Sequence, residues 1–505
     1  MLLLKINKIE IKISFIIIFL IGLGLRFFYF PHELPLIADG MDNFTYATAI
    51  NFYGYLPNEW APANIGWPIF LSFWFSLVNL DSSFDYMQFQ RILSIIASSL
   101  ITIPVYFLCK KFFNNKISLI GAALFAFEPR IILNSILGIT DSLFILIGIS
   151  SLVIFLRYDR KGILIAFTLA SFATIVRSEG IFLLITISIL FFIKNKISKE
   201  IVKTYLPALI IFLLILTPIS MYKTEVSGND GMFDRVVGGT SQMISMVNEN
   251  QNDNSEIING LELFIKYLGW IMIPSFLLFV PFGMIQFFRK RTRESNFIII
   301  FLIVFSIPIL YACFRQAQDT RYFYFLYPIF CLISLFAVET YISKFTKKNI
   351  IILFLIIGIL IASVSFYEYK KIDYEKEKEL NEITQIISKK ILGINFHPTE
   401  TQYVRATEIP IKWPFLFLEE DHQIKSISTT NYDNLEDLIL NSREDLTHLI
   451  VDNDPNLPKF LQDVYFHEER YNYLNKIFDS KEQNFNHHVK VYEIDYERFD
   501  LDIKK

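Results

Sequence analysis

Long apolar stretches separated by polar segments of different lengths occupy residues 11–366 of the chain. A helix needs about 20 apolar residues to cross a bilayer core of about 30 Å, and most of these stretches approach that length. The candidates are Ile11–Phe30, Ile92–Phe113, Ile117–Phe127, Ile136–Leu156, Gly162–Val176, Gly180–Ile193, Tyr205–Tyr222, Phe264–Phe288, Phe297–Cys313, Tyr322–Ile342 and Ile350–Phe366. The pattern therefore predicts an α-helical polytopic membrane protein with about 11 transmembrane helices.

Charge in the connections predicts the orientation of these spans. Every second connection is rich in Lys and Arg: residues 110–116, 157–161, 194–203, 288–293 and 343–349. Basic loops stay in the cytoplasm, and three lysines precede the first span, which lacks a cleavage site and is predicted to be a signal anchor. We therefore expect a multi-pass protein of the plasma membrane with a cytoplasmic N-terminus and an extracytoplasmic C-terminal region.

Three of the predicted spans, 117–127, 162–176 and 180–193, are too short for a bilayer at about 1.5 Å per helical residue. Their outer ends carry Glu128-Pro129-Arg130 and Arg177-Ser178-Glu179. Charges below the membrane surface are costly unless they line a polar cavity. The sequence therefore predicts an outward-facing cavity within the membrane.

The polar C-terminal region predicts a second domain. We expect a transmembrane domain over residues 1–368, with a first outer loop at 31–91 and a further outer loop at 223–261 covering the cavity. Residues 369–505 are predicted to form a small extracytoplasmic α/β domain. It begins with a charged helix, Tyr369–Ile391, and has strands at Thr447–Asp452 and Val489–Asp495 with a helical pattern at 458–478.

Composition excludes some classes of function. The chain is 53% hydrophobic and only 19% charged, with a net charge of -3, so no basic face indicates a nucleic-acid partner. Cys109, Cys313 and Cys331 lie in or beside apolar stretches and are interpreted as packing residues. No His, Cys, Asp or Glu spacing indicates a metal site. No cofactor is predicted, and a divalent cation is possible but not indicated.

The first outer loop begins with two acids, Asp39 and Asp42. One interpretation is structural: Asp39-Gly40 forms a turn, and Asp42 caps an aromatic helix that lies along the membrane surface. The other is functional: one carboxylate faces the cavity as a general base. Candidate cations on the same predicted side are Arg130, Arg177, Arg235, Arg315 and Arg321. For each arginine the structural alternative is an ion pair with a neighbour or a position at the membrane interface.

Six segments in this order resemble the polytopic GT-C glycosyltransferases, and in particular the branch of the protein O-mannosyltransferases and the bacterial lipid A aminoarabinose transferase. They are "DNFTYATAI", "NIGWPIFLSF", "QRILSIIASSL", "FEPRIILNSILGITDSLF", "TIVRSEGIFLL" and "DTRYFYFLYP". The resemblance covers most of Ile11–Ile342. Asn43 departs from it, because the protein mannosyltransferases have an acid there, and this leaves the base role open between Asp42 and Asp39.

The resemblance implies an inverting transfer of a sugar from a polyprenyl (dolichyl) phosphate to an extracytoplasmic acceptor, which is a protein, lipid or glycan. It implies Asp42 or Asp39 as the base. Arginine suits phosphate because its planar fork donates parallel hydrogen bonds, so Arg321 with Tyr322 is the first candidate for the donor phosphate, followed by Arg177 and Arg315. The expected cavity-lining residues are Tyr46, Glu128, Arg130, Asp141, Glu179 and Arg235.

A multi-span transporter or lipid flippase is the alternative function, since buried charges also fit a substrate pathway. The sequence shows no repeated halves, and its candidate acids and arginines concentrate on one predicted side of the membrane. Both observations favour the enzyme.

Overall fold

The computed structural model describes residues 2–57, 61–80, 83–158, 160–195, 198–234, 238, 255–292, 294–370, scattered residues of 374–387, 404–406, 432–443, 446–453 and 457–503. The chain forms two compact units, which are described separately. The first unit comprises Met1–Phe30, Pro57–Phe73 and Phe89–Lys371. The second unit comprises Pro31–Leu56, Trp74–Gln88 and Ile372–Lys505.

Nearly all of the apolar segments that the structure describes are helical. In chain order they are α1 (Leu2–Phe28), α2 (Asp39–Tyr53), α3 (Gly66–Phe75), α4 (Ser83–Leu100), α5 (Thr102–Lys110), α6 (Asn115–Ala126), α7 (Pro129–Ser135), α8 (Asp141–Tyr158), α9 (Ile163–Val176), α10 (Gly180–Lys194), α11 (Lys199–Ser227), α12 (Ser255–Ile271), α13 (Phe276–Arg289), α14 (Phe297–Phe314), α15 (Tyr327–Ile342) and α16 (Lys348–Tyr369). A 3₁₀-helix, Thr320–Leu326, leads into α15.

All eleven predicted spans are helical over most of their length. Within the described residues, seven helical segments are long and apolar enough to cross a membrane, and two bent helix pairs raise the number to nine. The helices α9 and α10 are apolar but shorter, as their sequences predict. The predicted polytopic helical fold is therefore confirmed.

Two predicted spans differ from the structure because they are broken. The stretch that was expected to end at Phe127 continues after a 52° bend into α7, since Pro129 begins a new helix instead of extending α6. The stretch expected as a single span over 264–288 is two helices, α12 and α13, bent by 105°. Glu128 stands at the first bend and is completely buried.

Close helix packing in the first unit depends on small residues. A Cβ atom added to Gly283 of α13 would lie only 2.2 Å from the carbonyl oxygen of Ile333 in α15. The same two helices bring the rings of Phe276 and Tyr327 to 5.5 Å between centroids. Small residues permit this approach, and the aromatic contacts then contribute dispersion energy.

The second unit contains a four-stranded sheet with the order β1-β2-β4-β3. The strands are β1 (Val404–Ala406), β2 (His448–Asp452), β3 (Leu474–Asp479) and β4 (Val489–Ile494), and β1 pairs with β2 in parallel while the other pairs are antiparallel. The helices α17 (Leu435–Asn441), α18 (Lys459–Phe466) and α19 (Tyr496–Ile503) accompany the sheet. The predicted small α/β domain and its two strands are confirmed.

The helical pattern predicted over 458–478 is wrong in its second half. Helix α18 ends at Phe466, and Leu474–Asp479 forms a strand paired with β4, with Leu474 opposite Ile494. Pairing with the neighbouring strand buries Leu474 and Phe478, which outweighs a local helical preference. The predicted charged helix at 369–391 lies largely outside the described residues.

Helix α2 and the segment after α3 also belong to the second unit. The ring of Phe44 lies 5.9 Å from that of Phe75, which in turn lies 5.3 Å from the ring of Tyr86. The Gln88 side chain donates a hydrogen bond to the carbonyl of Leu34 at 3.0 Å. These contacts connect α2 to the segment that follows α3 within the second unit.

Candidate active site

Arg177, between α9 and α10, joins two carboxylates of the first unit. Its Nη1 donates to Oδ1 of Asp141, and its Nη2 donates to Oε1 of Glu179 at 2.8 Å. Asp141 is the first residue of α8 and is only 2% exposed. A buried carboxylate needs such a partner, since an unpaired charge in a membrane span is costly.

A second arginine reaches the same place from the 3₁₀-helix. Asp319 precedes this helix, accepts a hydrogen bond from the backbone N–H of Arg321 at 2.8 Å and lies 2.6 Å from Nη2 of its guanidinium. The Asp319 side chain thus caps the N-terminus of the 3₁₀-helix and also orients Arg321. The ring of Tyr322 lies 5.9 Å from the guanidinium of Arg177.

These residues line one pocket of the first unit, which we call the arginine pocket. Its walls are formed by Asp141, Phe144, Ile145, Arg177, Glu179, Phe305, Pro308, Ile309, Arg321, Tyr322 and Phe325. Two guanidinium groups, two carboxylates and a phenol therefore share a space whose other walls are apolar. Such an arrangement suits a ligand that has an anionic group and an apolar part.

The loop that leads into Asp141 is held by residues from distant segments. Trp67 Nε1 donates to the carbonyl of Gly138 at 2.9 Å, and Gln90 Nε2 donates to the same carbonyl at 2.7 Å. Arg91 Nε donates to the carbonyl of Ile136 at 3.0 Å. Gly138 has a φ of 72°, a conformation that glycine adopts without strain. Two of the sequence motifs therefore position the first residue of α8.

The loop that carries Arg177 is held in a similar way. Asn64 Oδ1 accepts a hydrogen bond from the backbone N–H of Ser178 at 3.4 Å. Gly66 approaches the chain so closely that an added Cβ atom would lie 2.6 Å from the backbone nitrogen of Val176. The "NIGW" segment at 64–67 thus contacts two loops. Asn64 and Gly66 contact the chain beside Arg177, and Trp67 contacts the loop before Asp141.

The two candidate base residues lie in the second unit. Helix α2 begins at Asp39 after Ala38, so the predicted turn at Asp39-Gly40 and the predicted N-cap at Asp42 are wrong. Both acids lie in the first helical turn, where a negative charge is favourable beside the positive end of the helix dipole. Both are exposed, whereas Asn43 and Tyr46 of the same helix are buried.

Glu128 and Arg130 form a separate polar centre at the bend between α6 and α7. Glu128 is completely buried, and within the described residues neither carboxylate oxygen has a hydrogen-bond partner. Arg130 Nη2 donates to the carbonyl of Trp270 at 2.6 Å, and its guanidinium lies 4.8 Å from the ring centroid of Phe366. Neither residue lines the arginine pocket.

Two further predicted residues are not part of the arginine pocket. Arg315 is exposed at the end of α14, and its Nη1 lies 3.4 Å from the hydroxyl of Tyr311. Arg235 lies outside the described residues, as does much of the predicted outer loop at 223–261. Among the described residues, no group of three His, Cys, Asp or Glu side chains is arranged to hold a metal ion.

The sequence did not single out Asp319 or Lys223. Asp319 stands in the quoted "DTRYFYFLYP" segment, but only the helix start shows that it orients Arg321. Lys223 was expected to open an outer loop, whereas α11 continues to Ser227 and buries it. Its Nζ donates to the carbonyl of Ala63 at 2.5 Å, so it fixes the chain just before Asn64.

Comparison with known proteins shows a family match over part of the sequence and a similar fold over most of the chain. Residues 70–222 match the family of dolichyl-phosphate-mannose-protein mannosyltransferases, and this range includes Asp141, Arg177 and Glu179. A search of curated proteins found no match.

Among solved structures, ArnT from Cupriavidus metallidurans in the apo state has a TM-score of 0.61 at 8% identity, over 96% of this chain and 98% of that chain. The same protein bound to undecaprenyl phosphate has a TM-score of 0.58 at 8% identity, over 96% and 97%. The archaeal oligosaccharyltransferase AglB from Archaeoglobus fulgidus, in complex with an inhibitory peptide and a dolichol-phosphate, has a TM-score of 0.56 at 13% identity, over 93% and 73%. The chain has the fold of the GT-C glycosyltransferases, in agreement with the resemblance of its motifs.

Proposed function

We propose that this protein is an integral membrane glycosyltransferase that transfers a sugar from a polyprenyl-phosphate donor to an extracytoplasmic acceptor. The observation that carries the proposal is the arginine pocket, which is lined by both Arg177 from the loop between α9 and α10 and Arg321 from the 3₁₀-helix. The family match and the fold support it, because one of the similar structures is bound to undecaprenyl phosphate and another to a dolichol-phosphate.

The pocket residues suit the leaving group of this reaction. When the bond between the anomeric carbon and the phosphate oxygen breaks, its electron pair stays on the phosphate, whose negative charge grows. Arg321 and Arg177 stabilise that charge, and Tyr322 adds a hydroxyl donor beside them. Asp141, Glu179 and Asp319 hold the two guanidinium groups in place in the absence of donor.

The acceptor side of the reaction needs a general base. A hydroxyl of the acceptor attacks the anomeric carbon from the face opposite the phosphate, and its proton passes to a carboxylate. Asp42 or Asp39 takes this role, on the motif resemblance, and the configuration at the anomeric carbon inverts in a single displacement.

In this proposal the N-terminus lies in the cytoplasm and the α/β domain lies outside, because the basic loops are expected in the cytoplasm.

A transfer assay tests the function. Purified full-length protein in detergent is supplied with a panel of radiolabelled polyprenyl-phosphate sugars, with host membrane extract as the acceptor. We expect transfer from at least one donor and a loss of about 100-fold or more when the base is replaced in Asp42→Asn or Asp39→Asn. If the wild-type protein consumed no donor while it bound or moved a lipid-linked substrate across vesicles, the transporter alternative would replace this proposal.

A further inference from the structure

A basic pocket lies at the end of α8 opposite to the arginine pocket. Arg157 follows Asp141 by 16 residues in the same helix, which at about 1.5 Å per residue separates them by about 24 Å along its axis. The pocket is lined by Phe107, Leu108, Lys110, Lys111, Val153, Leu156 and Arg157. It is therefore distinct from the site proposed for the sugar donor.

Three cations and four apolar side chains make up this lining, and among the residues that the structure describes no carboxylate belongs to it. The pocket is partly open, and its volume, counted together with space open to the surroundings, is about 610 Å³. Cations that merely balance neighbouring acids would be accompanied by carboxylates in the wall. This lining instead offers positive charge next to apolar surface.

The contacts between α5 and α8 hold the basic groups at the pocket. Lys111 Nζ donates to the carbonyl of Leu156 in the last turn of α8, a position favoured by the helix dipole. The guanidinium of Arg157 lies 5.4 Å from the ring centroid of Phe107, and Lys110 Nζ lies 5.8 Å from that of Tyr106. Lys110 and Arg157 are both exposed, so a ligand can reach them.

An apolar stripe leads along α5 to these cations. Ile103 and Phe107 are each 37% exposed and stand four residues apart, with Lys110 three residues further on. Residues at this spacing share one helix face. An acyl chain lying along Ile103 and Phe107 would bring its headgroup to Lys110 and Arg157.

We propose that this pocket binds the phosphate of an anionic phospholipid, with Lys110 and Arg157 contacting the headgroup and Phe107 contacting the acyl chain. Arginine supplies two parallel donors to a phosphate diester, and lysine supplies a second positive charge. The apolar stripe favours a lipid over a soluble phosphate, because a soluble anion gains nothing from it. Basic pockets between transmembrane helices at one membrane face are suited to such headgroups.

Lipid binding to the full-length protein tests this proposal. The protein is purified in a mild detergent, and the binding of phosphatidylglycerol and of phosphatidylcholine with the same acyl chains is measured by native mass spectrometry. We expect a preference for phosphatidylglycerol that falls by about ten- to thirty-fold in Lys110→Gln/Arg157→Gln, since each basic group near a lipid surface contributes about a factor of five.

The matched control is Lys344→Gln/Lys347→Gln, which removes two exposed cations from the turn between α15 and α16. It should keep the preference, and Lys110→Arg should keep it as well. Equal loss in the control, or equal binding of both lipids by the wild-type protein, would overturn the proposal. Displacement of the bound lipid by inorganic phosphate or glycerol 3-phosphate at low millimolar concentration would also overturn it, since the site would then be one for soluble anions.

Discussion

The indole N–H of Trp67 donates a hydrogen bond to the carbonyl of Gly138 at 2.9 Å, although 71 residues separate the two in the chain. Trp67 is completely buried, so this bond is formed away from water. Gly138 lies three residues before Asp141, and Gly66, next to Trp67, contacts the backbone just before Arg177. One short segment after the first span therefore sets the positions of both partners of a buried ion pair.

Replacing an arginine of the pocket should reduce sugar transfer. We expect Arg321→Gln to lower kcat/KM by about 100-fold, because a donor to the developing phosphate charge is lost, and Arg321→Lys to lower it less, since one charge remains. Rates of transfer from the active polyprenyl-phosphate sugar measure the effect.

The control for this substitution is Arg315→Gln, which removes a neighbouring exposed arginine that does not line the pocket. It should change the rate less than about two-fold. Equal losses in the two variants would mean that net charge, and not the pocket, determines the activity.

Breaking the buried ion pair should destabilise the protein. Asp141→Ala removes a carboxylate that accepts from Arg177, and we expect a loss of about 3 kcal/mol because the guanidinium stays buried with one fewer partner. The triple variant Asp141→Leu/Arg177→Met/Glu179→Gln should recover part of the loss, since it removes Arg177 together with the charges of both carboxylates that it pairs with. Reversible unfolding in mixed micelles measures the free energy of unfolding.

The exposed pair of Lys290 and Glu339, with 3.2 Å between nitrogen and oxygen, provides the comparison. Glu339→Gln should cost less than about 1 kcal/mol, since water screens both groups. A larger cost there than at Asp141 would contradict the assignment of a buried structural pair.

A methyl group at residue 66 should disturb the site. In Gly66→Ala the new Cβ atom would lie 2.6 Å from the nitrogen of Val176, so the backbone before Arg177 must shift. We expect a loss of about 1 to 3 kcal/mol in stability and a lower transfer rate. Gly24→Ala in α1 is the matched change, because no atom lies within 4 Å of the new Cβ atom, and it should be tolerated.

Acid should destabilise the sheet of the second unit, because it protonates Glu468. Burial raises the pKa of this carboxyl, but hydrogen bonds from Tyr492, Lys490 and Lys476 outweigh it and lower the pKa from 4.5 to about 2. A lowered folded-state pKa stabilises the folded protein above the unfolded value, and this contribution is lost as the pH falls from about 4.5 towards 2.

Hydrogen exchange of peptides from β4 in the full-length protein, corrected for intrinsic rates, measures this effect between pH 5 and pH 3. Protection should fall in this range in the wild-type protein and change less in Glu468→Gln, which has no carboxyl to titrate. Glu497→Gln, which removes an exposed carboxyl of α19, should behave as the wild type. An unchanged acid response in Glu468→Gln would exclude this residue as its source.

The sequence by itself determined where the helices lie in the membrane region. Apolar side chains in a run of suitable length have one stable arrangement in lipid, a helix that satisfies its own backbone hydrogen bonds, so every predicted span is helical. A charge in a membrane span is costly without a partner, and Asp141 is accordingly paired with Arg177. The GT-C fold was predicted on different grounds, by the resemblance of the six motifs to that family, and it agrees with the similar structures.

Only the tertiary structure decided where helices break, where elements begin and which residues lie close together. The start of α2 at Asp39 and the strand at Leu474–Asp479 depend on packing partners that are remote in sequence, and local patterns do not contain them. The arginine pocket depends on hydrogen bonds that connect Trp67 to Gly138 and Arg177 to Asp141. Residue types predict which charges need partners, whereas the partner is decided by which loops the packed helices bring within about 3 Å of each other.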